Sequence, residues 1–245
     1  MSAARRRVVG ALIALTIVWP LLLAGARWPA YWEWIASEQT PMTWLQSVVL
    51  VVTGCLAGLV GLVVRHTGAG RRERAAWWLC AAGFLALAVD ERFAIHERVR
   101  DGFLAPRGVA LPFLPWVAPG DFLVLLVGLV GLAALPLLWT AVRADHAART
   151  ALLVAVGAGV LAVGVDSVDP ATWSLEGERL QQSLEEAVEL ISGAALLACV
   201  SLRLLGLLGA LLPPLARDED GGSGQPGPVE IADGVGRQVL TPDGA

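Results

Sequence analysis

Charge is what this chain has least of. Of its 245 residues only 16% are Asp, Glu, Lys or Arg, while 56% are hydrophobic and the mean hydropathy is +0.65. Soluble domains carry about 25% charged residues, so an ordinary soluble fold is excluded and lipid is the expected surrounding. Lysine is absent: all 18 basic residues are arginine, which most simply reflects a GC-rich coding sequence and carries no functional reading. The net charge of -4 provides no basic footprint for nucleic acid. Cysteine is scarce too. Cys55, Cys80 and Cys199 each fall inside an apolar run, without metal-finger spacing or a loop partner for a disulfide, so they read as packing thiols. No dinucleotide fingerprint, P-loop, HExxH or GxSxG occurs, which removes the commonest soluble-enzyme chemistries.

What the chain does have is a series of long apolar runs. They predict an all-α polytopic membrane helix bundle of about six transmembrane helices, at about 8–26, 43–64, 75–97, 122–142, 150–168 and 184–212. Arg5, Arg6 and Arg7 precede the first run; Arg65, Arg71, Arg72 and Arg74 follow the second; Arg143 and Arg149 follow the fourth. Cytoplasmic loops concentrate Arg, so both termini are expected inside. Arg98, Arg100 and Arg107 weaken that bias on the outer side; residues 98–120 read as an interfacial loop whose arginines answer nearby acids.

The first run ends in Ala24-Gly25-Ala26, which resembles a signal-peptide cleavage site. Its length of about 19 residues exceeds the usual 7–15 of a signal core, so a retained helix, kinked at Pro20, is expected. Trp28, Tyr31, Trp32 and Trp34 in the next loop read as headgroup-level anchors. Gly54, Gly58 and Gly61 are spaced to let a neighbouring helix approach. The Gly-, Pro- and Asp-rich tail, 216–245, is expected to be disordered and cytoplasmic.

The third run ends in Asp90-Glu91-Arg92-Phe93-Ala94-Ile95-His96-Glu97. Ionisable groups at membrane depth cost roughly 2.5–3.5 kcal/mol each on insertion scales, so something must offset them. Topology brings other acids to the same outer end: Asp121 before the fourth run, Asp166 and Asp169 after the fifth, and Glu185, Glu186 and Glu189 at the start of the sixth. At about 100° per residue, Asp90, Ala94, Glu97 and Asp101 form one stripe, with His96 turned aside and Glu91 on the opposite flank. Asp90 and His96, about 120° apart, meet only if the helix loosens at its end. On the sixth helix Glu178, Gln182, Glu185, Glu189 and Ser192 share an arc, with Glu186 about 100° away. A capping box from Ser183 to Glu186 is expected there.

The expected centre is therefore Asp90 and Glu97 opposite Glu185 and Glu189. Glu91, His96, Asp166, Asp169, Gln182, Glu186 and Ser192 flank it, and Arg92, Arg98 and Arg179 are candidate salt-bridge partners. Clustered carboxylates suit a divalent ion such as Mg, Ca, Mn, Fe or Zn. A water activated by such an ion could hydrolyse a lipid or other membrane-borne substrate. Two alternatives stay open. The acids could form salt bridges in a structural or accessory subunit, as part of a homo-oligomer or a larger membrane complex. They could also mark a proton or cation pathway, although acids at one end alone trace no path across a bilayer.

The pattern of Asp90-Glu91, His96-Glu97 and Glu185-Glu186-x-x-Glu189 resembles that of uncharacterised bacterial multipass membrane proteins, which implies a bacterial plasma (inner) membrane location. It is also distantly similar to the ceramidase-like membrane hydrolases, which combine an acid and several histidines at one membrane face. That similarity implies metal-assisted hydrolysis. The departure is in the histidines: His66 and His146 belong to inside loops, and only His96 accompanies the acids.

Overall fold

The computed structural model describes residues 2–37, 39–68, 70–114, 117, 119–120, 122–166 and 173–211. Seven α-helices, α1 (Ala3–Ala26), α2 (Pro41–His66), α3 (Arg71–Phe93), α4 (Ile95–Val99), α5 (Phe122–Val142), α6 (His146–Asp166) and α7 (Leu175–Leu211), make up most of the described chain together with short 3-10 and π turns. No strand occurs among the described residues. The expected positions Asp121, Asp169 and the tail lie outside them.

Among the described residues five helices, α1, α2, α5, α6 and α7, are long and apolar enough to cross a bilayer. The sixth long helix, α3, differs in composition. Its uncharged stretch, 75–89, is bracketed by Arg71, Arg72, Glu73 and Arg74 at one end and Asp90, Glu91 and Arg92 at the other. It is packed along α2 at close range, and the glycines of α2 set that approach. A Cβ on Gly54 would lie 2.9 Å from Leu85 Cγ and 3.2 Å from the Ala81 carbonyl, and one on Gly61 3.4 Å from Trp77 Cβ. Trp77 is fully buried in the central apolar cluster with Ala57, Val60, Val64, Val142, Leu152 and Leu202.

The second close pair is α6 with α7. Ser192 of α7 donates its hydroxyl to the Ala155 carbonyl of α6 at 3.0 Å, opposite Gly159. At 1.5 Å per residue, the 37-residue α7 is about 55 Å long, well beyond a hydrocarbon core of about 30 Å. Its polar beginning, which precedes the apolar run expected at 184–212, is helical from Leu175. Ser174 accepts the Gly177 N–H at 3.1 Å as the cap, and Glu176 pairs with Arg179 one turn on at 2.7 Å. The capping box from Ser183 does not form, because Ser183 lies inside the helix and donates back to the Arg179 carbonyl at 2.8 Å.

One end of the bundle is tied by arginine. Arg5 bonds the Asp145 carboxylate and donates to the Leu202 carbonyl at 3.0 Å, while Asp145 Oδ1 caps α6 by accepting the Ala148 N–H at 3.1 Å. Arg203 pairs with Glu73 at 3.2 Å. The start of α1, the start of α3, the α5–α6 turn and the last part of α7 therefore share one end. The acidic segment following Val89 belongs to the other.

Candidate functional site

The acidic end is shaped by a break in the third long helix. Ala94 takes the left-handed conformation, φ 47° and ψ 49°, and is 4% exposed. That conformation costs an ordinary L-residue roughly 1–2 kcal/mol, so its neighbours must hold it. Asp90 does so with both oxygens. Oδ1 accepts the His96 backbone N–H at 2.9 Å and Oδ2 meets His96 Nδ1 at 2.8 Å. The carboxylate thus closes the end of α3 and opens α4.

This break revises the expected geometry. The stripe joining Asp90 to Glu97, and the third span to about residue 97, both assumed a regular helix. The helix instead stops at Phe93, the turn swings His96 onto Asp90, and Glu97 is carried to Arg100 at 3.2 Å. His96 lies beyond the end of α3. Its hydrogen bond to Asp90 raises the imidazole pKa above the usual value; burial opposes the shift, and the charges of Asp90, Glu97 and Asp166 reinforce it.

A second group of acids assembles on the other flank. Glu91 in the last turn of α3 meets Glu186 and Glu189, which lie one turn apart on α7. One carboxylate oxygen from each lies within 4.8 Å of the others. Glu186 is buried at 7% exposure, and Glu91 and Glu189 are half-buried. From α2, Gln46 reaches across at 5% exposure. Its Nε2 donates to the Glu186 carbonyl at 3.0 Å and to the Glu189 carboxylate at 3.5 Å. Gln46 sits early in α2 because Thr40 caps that helix, accepting the Met42 N–H at 3.3 Å.

Among the expected central acids, only Glu189 belongs to this group, and Glu91 and Glu186, expected on its flanks, complete it. Glu185 occupies the neighbouring face of α7, half-buried. Asp166 ends α6 half-buried, and its Oδ2 has no hydrogen-bond partner among the described residues. Gln182 is half-buried, but the amide that crosses to α6 is Gln181, which donates to the Val165 carbonyl at 2.8 Å. Ser192 is engaged by Ala155. Arg92 and Arg98 are exposed, with no ion pair among the described residues. Arg179 bonds Glu176 and stacks over Trp32, 3.7 Å from the ring centre. Arg100 is the arginine that answers this end, bonding Glu97 and, at 2.8 Å, Asp101.

The donor set defines what the group can hold. Its Glu91, Glu186 and Glu189 ligand atoms are all carboxylate oxygens, with no His or Cys among them. Oxygen donors suit hard cations. Two oxygens on opposite sides of a calcium-sized ion stand about 4.6–5.2 Å apart, twice the bond length of 2.3–2.6 Å. The observed spread of up to 4.8 Å accommodates such an ion with little movement.

The fold and this end of it define an all-α helix bundle with membrane-length apolar helices and a carboxylate group where three of its helices meet. The chain belongs to the family described as a domain of unknown function (DUF8692), whose profile matches residues 8–204 and so includes Gln46, Glu91, Glu186 and Glu189. No curated protein and no solved structure matches the chain.

Proposed function

We propose that this is an integral membrane protein that binds a divalent cation between α2, α3 and α7. The observation that carries this reading is the approach of Glu91, Glu186 and Glu189 to within 4.8 Å, in a chain otherwise poor in charge. The proposed setting is the bacterial plasma membrane, with both termini inside and the cation toward the extracytoplasmic face. The arginine-rich segments 5–7, 65–74 and 143–149 support this orientation, because they fall at the end opposite the carboxylates. With waters completing its coordination, a cation there would make a nucleophile of one of them. The substrate would be a lipid or another membrane-borne molecule presented at helix ends.

Elemental analysis of the purified protein tests this. After incubation with Mg, Ca, Mn and Zn salts and desalting, the parent should retain about one equivalent of a divalent ion. A Glu91→Gln, Glu186→Gln, Glu189→Gln variant should retain none. An ion-free parent would end the proposal.

A structural reading is favoured by a different observation. Asp90 is satisfied by His96, Glu97 by Arg100, and Gln46 bridges α2 to α7 through Glu186 and Glu189. On that reading the polar groups fasten the helix ends with no ion. The same triple variant would then melt well below the parent even in chelator.

A further inference from the structure

The helical segment after Ala94 has two unlike faces, and the protein covers one of them. It runs from α4 through a π turn, Arg100–Leu104, and a 3-10 turn, Ala105–Arg107. The left-handed Ala94 turns it off the axis of α3. On the covered face, Arg100 bonds Glu97 at 3.2 Å and Asp101 at 2.8 Å. The backbone at Gly120 closes over the same face: a Cβ there would lie 2.7 Å from Arg100 Cγ and 3.1 Å from Leu104 Cβ. Ile95, Val99 and Phe103 recur every four residues and so share another face. They are 43%, 38% and 61% exposed. Arginine borders this stripe. Arg98, three residues after Ile95, is exposed. Arg107, four residues after Phe103, donates to the Phe103 carbonyl at 2.8 Å and holds its guanidinium 5.3 Å from the ring centre. Neither arginine forms a salt bridge among the described residues.

We propose that residues 95–107 lie in the headgroup layer at the acidic end of the bundle, with Ile95, Val99 and Phe103 in the acyl boundary and Arg98 and Arg107 on the phosphates of anionic phospholipid. The inference rests on the membrane location and not on the cation. The segment begins where α3 stops, at the end where the membrane-length helices α2 and α6 also begin and finish. A helical segment with an apolar face flanked by basic residues is suited to lie in the plane of the interface. Guanidinium groups pair with phosphate through two parallel N–H bonds, and basic residues near a bilayer surface favour anionic lipid. Charge also separates this occupant from a second copy of the chain. The segment's own acids, Glu97 and Asp101, are held by Arg100, so pairing two such segments would bring like charges together. Anionic headgroups answer them.

Site-directed fluorescence in vesicles tests this. In the full chain with Cys55, Cys80 and Cys199 replaced by alanine, Val99→Cys carries a nitrobenzoxadiazole label. The protein is reconstituted in vesicles of phosphatidylcholine and phosphatidylglycerol in equal parts, with bromine on the upper acyl chains of one lipid or the other. Both brominated lipids should quench the label, and phosphatidylglycerol should do so at least about twofold more strongly. Arg98→Gln with Arg107→Gln should bring the two to equality, while circular dichroism shows the same helix content. Phe103→Cys takes the label if Val99→Cys does not fold. No quenching by either lipid, equal quenching by both in the parent, or an unchanged preference in the double variant overturns the proposal. Quenching that appears only at high dilution of protein in lipid places a second copy on the stripe and overturns it too. These results leave the cation proposal standing, whereas a chain that does not enter vesicles removes the membrane location itself.

Discussion

Asp90 and His96 are joined twice, by a backbone N–H to Oδ1 at 2.9 Å and by the ring Nδ1 to Oδ2 at 2.8 Å, across a single left-handed residue, Ala94. This relationship ends the third long helix four residues before Glu97. It leaves Glu91, rather than Asp90, to face the acids of α7.

The left-handed turn makes Ala94 an informative position. Ala94→Gly relieves the Cβ conflict and should be neutral or stabilising by up to about 1 kcal/mol, despite the added freedom of the unfolded chain. Ala94→Val, β-branched and buried, should destabilise by about 2 kcal/mol or more. Thermal unfolding in detergent compares the two. A clear loss of stability in Ala94→Gly would contradict the turn.

The same clasp should make stability depend on pH. Asp90 raises the His96 pKa in the folded state, so the folded protein holds this proton more tightly than the unfolded chain. The stabilisation is full below the ordinary histidine value of about 6.5, and it is lost as pH rises through the higher folded value. The melting temperature should therefore fall above about pH 6.5 in the parent. Asp90→Asn should flatten that slope, and an unchanged slope would count against the pairing.

The helix contact between α2 and α3 discriminates between glycines. Gly54→Ala would place a methyl 2.9 Å from Leu85 Cγ and 3.2 Å from a backbone oxygen, and should cost about 1–3 kcal/mol. Gly58→Ala meets only Trp78 and the Ala81 methyl at 3.6 Å and 3.9 Å, so it should be within about 0.5 kcal/mol of neutral or better. Equal melting temperatures for the two variants would contradict the close approach.

At the opposite end, Arg5 and Asp145 form a partly buried pair, with side chains 20% and 10% exposed. Arg5→Leu leaves Asp145 largely buried without its cation and should cost about 2 kcal/mol or more. The double variant Arg5→Leu, Asp145→Leu should recover part of that loss. A single variant as stable as the parent would show that the pair does not hold α1.

The bundle was legible because runs of about 20 apolar residues point directly to helices long enough to cross a bilayer. The beginning of α7 was not. Residues 175–183 carry no apolar run, and their helicity depends on the Ser174 cap and local pairs such as Glu176 with Arg179. At the candidate site, an acid such as Glu189 is conspicuous in a charge-poor helix, whereas the faces of the acids on α3 depend on Ala94. Glycine or asparagine would have announced a left-handed turn; alanine does not. Gln46 gives no such signal, for a related reason. An uncharged amide in an apolar run has no charge to balance, and its contacts with Glu186 and Glu189 join residues 140 and 143 positions apart.

The central claim is that Glu91, Glu186 and Glu189 surround a cation. Crystals grown with manganese and measured at its absorption edge address it most directly. The account predicts an anomalous peak about 2.0–2.6 Å from one oxygen of each of the three carboxylates. A map of comparable quality with no peak there, and a guanidinium group or a set of hydrogen-bonded acids in its place, would contradict it.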